Sequence, residues 1–271
     1  MNKTTEQNSL YRNLEKMSTH ELLTNINHED QKVAQAVQQS IDYIEKLVEI
    51  VVEKLSNDGR LFYIGSGTSG RLAIVDASEC PPTFGVSRDL VIALIAGGDS
   101  AIRSSIESAE DNTEQAWKDL MKYKITTKDI VVGISASGTT PYVIGGLEKC
   151  QENSVYTGCI TCNQNMPITK FSDIIIEIPV GPEFVTGSTR MKSGTAQKMA
   201  LNMLSTAVMI KLGHIMDNKM IDMQLKNQKL KERGINMIQE ICKVDRIEAN
   251  HLLKKHGSLR LVINNLKNNV Q

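Results

Sequence analysis

Two short segments carry residue types suited to holding an anion. Gly65-Ser-Gly67-Thr-Ser-Gly70 follows a brief apolar run and precedes a helical pattern. Its glycines permit a tight turn, and its amides would face outward at a helix N-terminus. Ser135-Ala-Ser137-Gly138-Thr139-Thr140-Pro141 repeats the arrangement, with Pro141 suited to the first helical turn. The first turn offers the hydroxyls of Ser66, Thr68 and Ser69, and the second those of Ser135, Ser137, Thr139 and Thr140. Hydroxyls and amides together suit a compact phosphate monoester. The first turn also fits the G-x-G-x-x-G of a dinucleotide site, with Asp99 standing later than a ribose-binding acid usually does. Either turn alone is also what a helix cap looks like. Two of them at successive strand ends favour a shared sugar-phosphate-sized ligand.

Two carboxylates are candidates for proton transfer. Glu79 lies in Ala77-Ser-Glu-Cys-Pro81-Pro82, where the prolines are expected to end the preceding helix and leave the acid off any obvious solvated face. Glu110 is one of several acids in a stretch read as one helix over 100–122. On that wheel the stripe of Ile102, Ile106, Ala109, Thr113, Ala116, Trp117 and Leu120 has a single centre. Glu110 falls about 70° from it, Glu107 and Glu114 more than about 100° away, and Asp111 nearly opposite. Only Glu110 is then placed for partial burial, which raises a carboxyl pKa. Two carboxylates of separated pKa serve as acid and base. Arg190 and Lys192, near the start of a long helix, are placed to oppose a phosphate or a substrate carboxylate, and Glu183 just before them joins the binding set. The five histidines (His20, His28, His214, His251, His256) lie outside the central region without metal-ligand spacing, so neither metal nor cofactor is expected.

Short apolar runs at 61–64, 90–95, 130–134, 155–160 and 174–178 alternate with helical patterns. That order implies an α/β fold with a doubly wound parallel sheet, helices on both faces, and a site beyond the carboxyl ends of the strands. The division read from these patterns is a helical segment at 1–57, the sheet domain at 58–213 and a helical region at 214–271. Ser18-Thr-His-Glu21 has capping-box spacing. A single helix is expected over 30–55, with Val33, Val37, Ile41, Ile44 and Val48 on one flank and Leu47, Val51 and Val52 broadening it. This exceeds the one stripe a monomer's surface helix needs, which predicts burial against a second copy in a homodimer.

The composition removes other classes. The 271 residues carry 31 basic and 31 acidic side chains, so a broad nucleic-acid surface is not expected. No run approaches the ~20 apolar residues of a membrane span, and the polar start lacks a secretory pattern. Five scattered cysteines argue for a reducing cytoplasm. Cys159-Ile-Thr-Cys162 ends a strand rather than opening a helix, so neither a redox nor a zinc role is expected of it.

The strings from Arg60 to Arg71, Asp76 to Gly85, Ile95 to Gly98, Ala109 to Asn112 and Val185 to Lys198 together resemble the N-acetylmuramic acid 6-phosphate etherase family, whose module is the sugar isomerase (SIS) domain. Glu-Cys-Pro-Pro and Gly-Ser-Thr-Arg-Met-Lys are the most specific of them. The resemblance runs from about residue 4 to 235. It implies an SIS fold and a cytoplasmic lyase that cleaves the D-lactyl ether of N-acetylmuramic acid 6-phosphate by elimination and water addition. It further implies Glu79 and Glu110 as the acid–base pair, with Glu79 as proton donor to the ether oxygen, and a homodimer. An SIS aldose–ketose isomerase, a sugar-phosphate-sensing regulator and a dinucleotide-dependent oxidoreductase are the rival readings.

Overall fold

The computed structural model describes residues 3–106, 108–225 and 227–268, so Glu107 lies outside the described residues. Five strands, β1 (Leu61–Gly65), β2 (Val91–Ile95), β3 (Ile130–Ile134), β4 (Tyr156–Thr161) and β5 (Ile174–Glu177), form one sheet in the order β2-β1-β3-β4-β5. Every pairing is parallel. The sheet carries helices α1 (Thr19–Gln38), α2 (Ile41–Ser56), α3 (Gly67–Phe84), α4 (Ser100–Arg103), α5 (Gln115–Lys122), α6 (Pro141–Glu152) and α7 (Lys192–Lys211). The strands are apolar because both faces are covered, and β1 and β3 are buried throughout. Phe62, Ile64, Val131, Tyr142, Val143 and Leu147 lie at the centre of one core. The α/β architecture expected from the sequence is thus found, with all five strands within two residues of their predicted ends.

The chain divides into two compact units, residues 1–77 with 89–208, and residues 78–88 with 209–271. The first holds the sheet. The second holds a two-stranded ribbon, β6 (Ile215–Met216) and β7 (Lys219–Met220), with α8 (Gln228–Cys242), α9 (Arg246–His256) and α10 (Leu259–Asn268). Its own core gathers Ile221, Ile238, Ala249, Val262 and Ile263.

Three helical expectations are corrected. The single helix over 30–55 is two, α1 and α2. Ser40, buried between them, donates its hydroxyl to the Glu177 carbonyl at 2.7 Å, tying the break to β5. Of the apolar residues expected to face a second copy, Val33, Val37, Ile44, Leu47, Val48 and Val51 are buried within the chain, Val52 is half-buried and only Ile41 is exposed. The capping box of Ser18 and Glu21 is present as read.

The helix expected over 100–122 is also broken. It becomes α4, a left-handed Ser108, a 3₁₀ turn over Ala109–Asp111, and α5. Asn112 Oδ1 accepts from the Glu114 amide at 3.0 Å, the local bonding by which short polar side chains compete with helix. The wheel that singled out Glu110 therefore does not exist. Finally, Pro81 and Pro82 do not end α3. They occupy its last turn, where the fixed proline φ is still helical, and Gly85 (φ +70°) stops the chain with its amide on the Pro81 carbonyl at 2.9 Å.

Candidate active site

The strand order reverses between β1 and β3, and in open parallel sheets ligands bind in the crevice beyond the strand ends at that point. Both hydroxyl turns lie there. Ser66 leaves β1, and α3 begins at once, so the Thr68–Gly70 amides form its N-terminus. Gly70 is required by close approach: a Cβ there would lie 2.5 Å from the Ile95 side chain and 3.0 Å from the Gly65 carbonyl. The second turn follows β3 and ends at Pro141, the first residue of α6, as expected.

A cavity of about 500 Å³ opens between the turns, lined by Ser66, Thr68, Ser69, Ser137, Thr139 and Thr140 together with Glu6, Glu110, Asp111 and Thr189. A neighbouring one of about 250 Å³ shares Ser66, Gly67, Glu110 and Asp111 with it and adds Arg71. Arg71 directs Nε and Nη2 to the Ile102 and Ala101 carbonyls, both at 2.8 Å, pinning the segment that leads to Glu110.

The second turn is a closed hydroxyl network. Buried Ser135 accepts from the Gly138 amide at 3.0 Å and lies 2.8 Å from Thr140 Oγ1 and 3.3 Å from Ser137 Oγ. Ser137 Oγ accepts from the Thr139 amide and hydroxyl at 3.2 and 3.1 Å. In the first turn, Ser66 donates to Glu110 Oε2 at 2.7 Å and buried Ser69 donates to Gln197 Oε1 at 2.9 Å. Gln197 Nε2 is buried with no partner among the described residues.

Other predicted site residues differ from their sequence readings. Glu110 is exposed at the cavity, not half-buried on a helix. Glu79 is exposed on α3 and lines neither cavity, contrary to a position off the solvated face. Lys192 lines neither cavity: its ammonium is buried against Glu29 at 2.6 Å. Burial alone would raise the Glu29 carboxyl, but hydrogen bonds from Lys192, Lys32 and Tyr11 outweigh it and hold the pKa at about 2. Buried Glu183 accepts from the Lys192 and Ser193 amides and the Ser193 hydroxyl, so it caps α7. Arg190 is exposed and makes no ion pair among the described residues. Glu6 and Gln197 were missed by the sequence reading. The former lies far from the turns in the chain, and the latter sits inside a helix that reads as plain core.

The thiols fit a structural role. Cys159 and Cys162 are buried and free, and burial pushes them up to about 11 and about 12. Among the described residues no group of His, Cys, Asp and Glu is placed to hold a metal, and no helix is long and apolar enough to cross a membrane.

The model of the glucokinase regulatory protein N-terminal SIS domain matches residues 43–151, and that of the SIS domain matches residues 102–207. Among solved structures, a phosphoheptose isomerase from Francisella tularensis superposes with a TM-score of 0.54 at 15% identity, over 71% of this chain and 98% of that one, which speaks for the fold alone. Much closer in sequence is the N-acetylmuramic acid 6-phosphate etherase of Christiangramia forsetii, 58% identical over 97% of this chain and 96% of that one. The etherase of Bacteroides thetaiotaomicron is 54% identical over 96% and 94%. With identity of this order along nearly the whole length, the chain belongs to the N-acetylmuramic acid 6-phosphate etherase family.

Proposed function

We propose that this protein is a carbon–oxygen lyase that converts N-acetylmuramic acid 6-phosphate and water to N-acetylglucosamine 6-phosphate and D-lactate. An alkyl ether resists plain hydrolysis. In the ring-opened aldehyde, however, C1 acidifies the C2 proton and the lactyl oxygen on C3 is a β leaving group. A base takes the C2 proton, the C3–O bond breaks, and the departing oxygen takes a proton. Water then adds across the double bond, hydroxyl to C3 and hydrogen to C2. No electron is gained or lost overall, so one base and one acid suffice.

The observation that carries this reading is Glu110, a carboxylate at the rim of a hydroxyl-lined crevice in a chain more than half identical to etherases. Glu79 is its partner in proton transfer by the family motif alone. Ser137 and Thr140 face the cavity and suit the phosphate. The enzyme acts in the cytoplasm as a homodimer, a reading supported by the family and by exposed Leu23, Ile41 and Tyr43 on α1 and α2. Incubation with the substrate and assay of D-lactate tests the activity; release of an isomerised sugar phosphate without lactate would refute it.

A further inference from the structure

A phosphate monoester carries nearly two negative charges at neutral pH. Yet the larger cavity is lined by three carboxylates, Glu6, Glu110 and Asp111, and among the described residues by no cationic side chain. Arg71 is directed at carbonyls and Lys192 is sealed against Glu29. Hydroxyls and amides alone would leave the anion surrounded by like charge.

One ammonium stands at the phosphate turn. Lys3 Nζ donates to Thr139 Oγ1 at 2.9 Å, and Thr139 lines the cavity. Among the described residues no carboxylate is within ion-pair distance of Lys3. A lysine has three N–H donors, and a neutral hydroxyl occupies one of them.

The backbone that delivers Lys3 is fastened down. Thr4 Oγ1 and the Thr5 amide donate to Asn163 Oδ1 at 3.0 and 3.2 Å. Asn163 Nδ2 answers with bonds to Thr5 Oγ1 at 2.9 Å and to the carbonyl of Ala136, inside the phosphate turn, at 3.0 Å. Thr5 and Asn163 are both fully buried. Ser9 closes the segment, its buried hydroxyl on the Phe184 carbonyl at 2.7 Å. The same clamp brings Glu6 to the cavity wall.

We propose that Lys3 is the cation of the phosphate subsite, contacting the monoester directly and setting the preference for phosphorylated over unphosphorylated sugar. The proposal rests on the sugar-phosphate reading of this crevice. A simple tether between the amino-terminal segment and the turn would use the same hydrogen bond but would not distinguish the two sugars.

The experiment compares wild type, Lys3→Met and Lys3→Arg, with any affinity tag at the carboxyl end. D-lactate release is measured from N-acetylmuramic acid with and without its phosphate, and binding of inorganic phosphate is measured by calorimetry at low and raised salt. Lys3→Met is expected to raise KM for the phosphorylated sugar by about 10- to 100-fold, the scale of a lost charged hydrogen bond, with kcat within about twofold. It should weaken inorganic phosphate similarly, flatten the salt dependence and leave the unphosphorylated sugar unaffected, while Lys3→Arg recovers most of the loss. Equal losses on both sugars, or unchanged phosphate affinity, would overturn the proposal. If wild type binds phosphate through Lys3 but releases no lactate, the etherase reading falls and the Lys3 assignment stands. Lactate release untouched by Lys3→Met sinks Lys3 alone.

Discussion

The Ser66 hydroxyl donates to the Glu110 carboxylate across 2.7 Å, joining the end of β1 to the 3₁₀ turn before α5. A serine whose proton is committed to a carboxylate is a poor phosphate ligand, since the anion would have to sit beside a negative charge. On the proposed function, Ser66 therefore orients Glu110, and the phosphate is assigned to the turn after β3. Glu110→Gln and Glu79→Gln should each cut turnover by at least about 100-fold with the fold intact. Ser66→Ala should lower kcat by about tenfold at unchanged KM. A pure KM effect of Ser66→Ala would return it to the phosphate site.

The turn after β3 separates hydroxyls that face the cavity from one that does not. Ser137→Ala and Thr140→Ala should each weaken substrate binding by about 1–3 kcal/mol, read as KM. Ser135 is buried and receives the Gly138 amide, so Ser135→Ala should lower stability in a urea titration as well. Identical profiles for all three variants would count against this division.

The Glu29–Lys192 pair is predicted to be structural. Removing one member leaves the other charge buried, so Lys192→Met should cost about 3–5 kcal/mol of folding stability. The Glu29→Gln/Lys192→Met double variant should recover part of that loss. Retained stability with a selective rise in KM would instead make Lys192 a substrate ligand.

Half-buried Asp76 and buried Glu29 bend stability with pH in opposite senses. Asp76 is held up at about 6 by burial, which outweighs the hydroxyls of Ser205 and Tyr63 at 2.9 and 3.2 Å. Below about pH 4 it is protonated in both folded and unfolded chains, and no penalty arises. Between about 4 and 6 the unfolded chain ionises first, so stability falls as pH rises, by roughly 2–3 kcal/mol in all. Asp76→Asn should remove that fall in urea titrations across this window. Glu29, held at about 2, stabilises at neutral pH and loses that contribution as pH drops from its ordinary range toward 2. If Asp76→Asn leaves the slope between about pH 4 and 6 unchanged, the burial argument fails.

Assembly is decided by light scattering at low micromolar concentration. A homodimer predicts about twice the 30.0 kDa of one chain. Full etherase activity at monomer mass would show that a second copy is not needed.

What the sequence disclosed and what it hid divide along physical lines. The strands and both hydroxyl turns were legible because doubly buried parallel strands read as apolar runs and the turns demand glycine and proline. Glu110 was selected by its motif and by a helical wheel, and only the motif survives. Asn112 and its neighbours bond locally, a competition that periodicity does not register. The apolar excess over 30–55 was real, but most of it is buried within one chain as two helices, which leaves Ile41 and Tyr43 exposed. Lys192 and Glu183 looked like ligand residues because isolated charges near a helix start do. Their partners, Glu29 and the α7 amides, are fixed only by tertiary structure.

Gly138 holds φ at +69°, and a Cβ there would lie 2.4 Å from that of Met166. The curvature of the turn is thus written in backbone, with the Gly138 amide already tied to Ser135. Ordering a residue costs about 1–2 kcal/mol of entropy, and here that cost falls at folding rather than at association. On the proposed function, an arriving anion meets a preorganised cradle. Its binding should therefore be quick, and the heat capacity of association should reflect desolvation of the sugar alone, with no contribution from a loop folding around it.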